Sequence, residues 1–82
     1  MDANICQFYL DNVDKIESVF SDHLDHLELK YLRHLAGMNY DNALVNQLDK
    51  IFWMGIIDIP YDSTTDPCTV QGYLENVINY GK

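Results

Sequence analysis

Apolar residues recur through the first third of the chain at gaps of mostly three and four: Ile5, Phe8, Tyr9, Val13, Ile16, Val19, Phe20, Leu24, Leu27 and Tyr31. Such spacing returns to one side of an α-helix turn after turn, the mark of an amphipathic helix. Beyond Glu28 the pattern widens, because Leu29, Leu32 and Leu35 fall on other faces. The segment "ELKYLRHL" is therefore a more buried helix or a continuation after a bend. Ser21-Asp22 is a cap-type dipeptide. Helices are expected over about 4–20 and 22–36, with Gly37 as the stop residue.

"MNYDNALVNQLDKIFWMG" supplies the next helix. Asp41 is its expected N-cap, Leu44, Leu48, Ile51 and Phe52 its apolar stripe, and Gly55 its terminator. Phe52 and Trp53 are expected where this helix closes over the core. In "IIDIPYDSTTDPCT" the period breaks: Ile57, Ile59 and Tyr61 alternate with Asp58 and Asp62, which suits a short extended segment limited by Pro60. Asp66-Pro67 is a helix start, since Pro has no N–H to leave unsatisfied in the first turn. Val70, Tyr73, Leu74, Val77 and Ile78 then form the stripe of a last helix ending before Gly81. The expected fold is all-α: one domain over residues 1–82, a compact bundle of three to four helices with a Pro-containing loop before the last helix.

Composition adds a partner class. Of the 82 residues, ten Asp and three Glu face four Lys and one Arg, a net charge of −8. Direct nucleic-acid binding needs Lys and Arg to neutralise phosphate, so it is not expected, and an anionic membrane surface is disfavoured for the same reason. A basic protein surface fits, and so does a homodimer. Cys6 and Cys68 match no zinc or redox spacing and read as reduced cytosolic thiols. "MDANICQFYL" lacks the basic and apolar regions of a signal peptide, and no run is long enough to span a membrane. The expected location is the cytoplasm, that of the host cell if the chain is phage-encoded.

Six of the carboxylates lie in "DNVDKIESVFSDHLDHLE", residues 11 to 28, with Lys15 as the only Lys or Arg there. On a straight helix at about 100° per residue, Asp11, Asp14, Asp22 and Asp25 share roughly an 80° sector, flanked by Glu17 and Glu28. Like charges at these spacings oppose the helix, and such local inconsistencies gather at functional sites. A rigid line of carboxylates can imitate a DNA phosphate backbone and occupy a nucleic-acid channel. Small acidic phage-encoded inhibitors of restriction or CRISPR effectors work in this way, and the chain is similar to them in size and charge.

Five other readings compete, the plainest being a solvated helix face that keeps the protein soluble. His23 and His26, three apart, could share a metal with Asp22 or Asp25, but they lack the glutamate of the H-E-x-x-H motif and any third-ligand pattern, so no metal is assigned. Nor is any cofactor. Catalysis has no motif: a solvent-facing acidic stripe lacks the separated environments that acid–base pairs need, and the protein is not expected to be an enzyme. Tyr61 among Asp58, Asp62 and Asp66 forms a second candidate patch, with Ile57 and Ile59 beside it, of the aromatic-anchor type that binds basic proteins. Here "DIPYDSTTDP" resembles the acidic, Pro-containing loop of the four-helix immunity proteins that inhibit colicin-type nucleases. The resemblance covers ten residues, lacks the paired tyrosines before the proline and transfers no functional residue. It implies a nuclease inhibitor anchored by Tyr61. The last reading is a homo-oligomeric structural or adaptor domain using exposed Tyr and Leu.

Overall fold

The structure, a computed structural model, describes residues 4–57 and 69–80. Among them the chain forms five helices and no strand: α1 (Ile5–Asp11), α2 (Val13–Phe20), α3 (His26–Gly37), α4 (Asp41–Trp53) and α5 (Val70–Tyr80). The protein is an all-α bundle. None of the described helices is long and apolar enough to cross a membrane.

The first helical run is not straight, and Asn12 is the reason. Its backbone leaves the helical region (φ −121°, ψ 19°), while its side-chain amide donates to the Phe8 carbonyl at 2.9 Å. An Asn side chain competes with the peptide group for such carbonyls, which ends one helix and starts the next. The Asn12 carbonyl then accepts from the Ile16 N–H at 2.9 Å, opening α2.

A second break separates α2 from α3, four residues further on than the Ser21-Asp22 dipeptide suggests. The Phe20 carbonyl takes both the His23 and Leu24 N–H groups, closing α2. Asp25, in extended backbone, is the N-cap of α3 and accepts from the Glu28 N–H at 2.9 Å. D-H-L-E thus places an acceptor at the cap and an acid three residues later, the sequence form of a capping box. Asp25→Ala is expected to cost about 1 kcal/mol and Asp25→Asn almost nothing, because Asn caps as well as Asp. Urea midpoints of the two variants check this; equal losses would mean that the charge matters and the cap does not.

α3 and α4 both end in Schellman motifs. Tyr40 N–H reaches the Leu35 carbonyl and Asn39 N–H that of Ala36, with Asn39 at φ +61°. Asn39, and not Gly37, is the left-handed stop residue. At the end of α4 the expected Gly55 does this work at φ +67°, with Ile56 N–H on the Ile51 carbonyl. Asp41 is the first residue of α4 and makes no cap; Tyr40 occupies the N-cap. Thr69 Oγ1 accepts from the Gly72 N–H at 2.9 Å and so caps α5, whereas Asp66 and Pro67 lie outside the described residues.

The core joins Tyr9, Ile16, Phe20, Leu44, Leu48, Tyr73, Leu74 and Val77, all but sealed from solvent. α5 is the most enclosed element: seven of its residues are buried, Gly72 and Asn76 among them. It packs on α2 and α4, while α1 packs on α3 and α4. Three expected core residues are outside. Leu27 is 73% exposed, Tyr31 46% and Trp53 69%. The α2–α3 break rotates Leu27 and Tyr31 off the inward face. Trp53 lies beyond the Leu44–Leu48–Ile51 stripe, touching the half-buried Phe52 at a ring separation of 5.0 Å. Phe52 itself turns inward to Tyr73, 4.7 Å away.

Candidate interaction surface

The six carboxylates of residues 11–28 do not form one stripe, because the helix that would align them is broken twice. Five of them fall into two groups, and Glu17 stands apart. Asp11 and Asp14 flank the Asn12 kink and line one shallow depression of about 220 Å³ together with Lys15. Asp22 and Asp25 occupy the turn before α3, and Glu28 its first turn.

The breaks also change what each charge does locally. Asp14 lies in the first turn of α2, and Asp25 and Glu28 at the start of α3. Negative charge there faces the positive end of the helix dipole and stabilises it. Asp11 accepts a hydrogen bond from Gln7 Nε2 at 2.7 Å. Glu17, half-buried, is taken up by Arg33: Nη2 donates to Oε1 at 2.6 Å and Nε to Oε2 at 3.2 Å. This two-pronged pair is the one ion pair among the described residues, and it ties α2 to α3. Hydrogen bonding and charge from Glu17 raise the guanidinium's hold on its proton, and Asp14 adds to the effect. Asp22 alone has no local partner or helix-end role. Asp11, Asp14, Asp22, Asp25 and Glu28 are nonetheless all exposed, with lone pairs free for an outside donor.

The second predicted patch is mostly out of view. Asp58, Tyr61 and Asp62 lie outside the described residues. Ile57, grouped with them in the sequence, is a core residue at 4% exposure; its exposed neighbour is Ile56. His23 sits exposed in the α2–α3 turn and His26 exposed at the first position of α3. No group of three or more His, Cys, Asp or Glu among the described residues is arranged to hold a metal.

Two features were not anticipated from the sequence. An open cleft of about 400 Å³ between α2 and α3 is lined by Glu17, His26, Leu29, Lys30 and Arg33, where the ion pair occupies one wall. A smaller groove of about 170 Å³ between α3 and α4 carries Tyr31, Met54 and Ile56, with Glu28, Gln47 and Lys50 at its edges. Beneath the ion pair, the Tyr9 hydroxyl is buried without a hydrogen-bond partner. Burial first, and then the Glu17 charge, push its phenol up, with Arg33 opposing.

No protein-family model, curated protein or solved structure matches the chain. The likeness to immunity proteins therefore rests on residues 58–67 alone.

Proposed function

We propose that this protein is a non-enzymatic binding protein whose exposed carboxylates engage a basic, nucleic-acid-handling protein and block its nucleic-acid site. One observation supports the reading above others: five of the six acids between residues 11 and 28 are solvent-exposed and outside any ion pair, in a chain of net charge −8. Acids that merely maintain solubility are commonly interleaved with bases. These acids have Lys15 alone among them before α3. The two groups, at the α1–α2 kink and at the start of α3, stand in for short runs of phosphate. Their local roles do not compete with this function, since a capping carboxylate keeps most of its lone pairs. Electrostatic attachment of this kind is salt-sensitive and chiefly sets the rate and specificity of encounter.

The test is the triple variant Asp14→Asn, Asp22→Asn, Glu28→Gln beside the wild type, each used to capture proteins from host lysate. Asp25 stays in place, so the α3 cap is kept. The expected result is a nucleic-acid-binding protein recovered by the wild type, released by high salt or by duplex DNA, and recovered at least about tenfold less by the variant. Equal recovery of the same proteins by both chains overturns the proposal.

A further inference from the structure

α3 has two apolar faces, and the bundle uses one. Leu32, Leu35 and Ala36 are buried against α1 and α4. Leu27, Tyr31, His34 and Met38 are all exposed, and at about 100° per residue they share roughly a 60° sector. Their gaps of four, three and four are those of a coiled-coil seam. Tyr31 carries this face into the α3–α4 groove, where Met54 and Ile56 extend it, at 72% and 40% exposure. A helix that is apolar on two sides is normally covered on both.

We infer that a second copy of this chain covers it, by antiparallel packing of α3 on α3 about a two-fold axis between Tyr31 and His34. Two observations point to a copy of the same chain. The first is that the seam is self-complementary in this register. Leu27 meets Met38 of the second copy, and Tyr31 meets His34, each contact occurring twice, as an isologous interface requires. The outer layers are apolar, and the inner layers pair a phenol with an imidazole that can accept its hydrogen bond. Across the two-fold axis Glu28 shares its flank with Leu35 of the second copy and Lys30 shares its flank with Gly37, so no like charges are juxtaposed.

The second observation is charge. α3 holds Lys30 and Arg33 against Glu28, and is the only described helix with more Lys and Arg than Asp and Glu. Arg33 is held by Glu17, which leaves Glu28 and Lys30 to balance each other on the seam's flanks, so in a chain of net charge −8 this face meets its copy without net like charge. The seam and its shoulder form a contact at the small end of specific interfaces, which gives weak, concentration-dependent association. The inference does not rest on the carboxylate reading: Glu28 alone borders both surfaces, and Asp14 and Asp22 take no part in the seam.

Sedimentation equilibrium of the wild type across a wide range of concentration tests the association directly, and paired charges test the register. The expected result is a monomer–dimer equilibrium that Leu27→Glu abolishes and Met38→Lys abolishes. The double variant Leu27→Glu/Met38→Lys restores it, because the introduced charges face each other across the axis. Both positions are exposed, and unchanged far-UV circular dichroism confirms that each variant is folded. A wild type that stays monomeric overturns the proposal, as does assembly beyond the dimer. A double variant that remains monomeric overturns the antiparallel register.

Discussion

Phe20→Ala is expected to remove about 3–5 kcal/mol of stability, the range for truncating a fully buried aromatic. For an 82-residue domain the whole margin is roughly 4–12 kcal/mol, so this single change brings the chain close to unfolding. The size of the effect follows from position. Phe20 has no exposed surface and ends α2, and its carbonyl carries the turn that leads to Leu24. Its ring lies in the shared core where α2 packs on α5, the most enclosed helix, so little around it can relax into the cavity. Urea denaturation followed by far-UV circular dichroism measures the loss. The fluorescence of Trp53 is a poor reporter, since that side chain is already 69% exposed when folded. A loss below about 1 kcal/mol would mean that the α2–α5 contact collapses around the gap and does not anchor the bundle.

Phe20 was legible as a core residue because its neighbours Ile16 and Val19 share its face within one unbroken helix. The same holds for Leu44, Leu48 and Ile51 on α4, and for Tyr73, Leu74, Val77 and Ile78 on α5. Periodicity fails where a helix ends. Asn12 stops α1 through a side-chain bond to Phe8, and nothing in the spacing of apolar residues registers that competition. Asp25 caps α3 although Ser21-Asp22 is an equally suitable dipeptide; the choice is made by the carbonyl of Phe20, which closes α2 first. Asn39 stops α3 although Gly37 is nearer, because the motif needs one left-handed residue and Asn can supply it.

These breaks carry through to the surface. The exposure of Asp11, Asp14, Asp22, Asp25 and Glu28 could be read from their place opposite the apolar stripe, but their alignment could not, since it required a straight helix. The Glu17–Arg33 pair joins residues sixteen apart in sequence, and only the tertiary arrangement of α2 on α3 reveals it. Leu27 and Tyr31 continue the stripe in sequence yet face outward in space. A helix with two apolar faces gives no internal sign of which one its own chain will cover.

Cys6 provides the most sensitive test of how firmly α1 is docked. Its thiol is 1% exposed and donates weakly to the Leu35 carbonyl at 3.9 Å. Burial first, and then the Asp41 carboxylate, push it up to about 12. At pH 8 the folded thiol is therefore held protonated, whereas about a quarter of a free cysteine of pKa near 8.5 is thiolate. In a Cys68→Ser background, Ellman's reagent is expected to react with Cys6 at least about a thousandfold more slowly than in the urea-unfolded chain, the reaction passing through opening of α1. Immediate release of one equivalent from the folded protein would show that α1 does not hold its place against α3. The shift also fixes the sign of the alkaline limb. Above about pH 8.5 the unfolded thiol loses its proton while the folded one keeps it, so the unfolded state binds fewer protons and stability falls as pH rises. The Tyr9 phenol, raised by burial, acts in the same direction above about pH 10. The urea midpoint should accordingly fall between pH 8 and 11, and Cys6→Ala should flatten the first part of that fall.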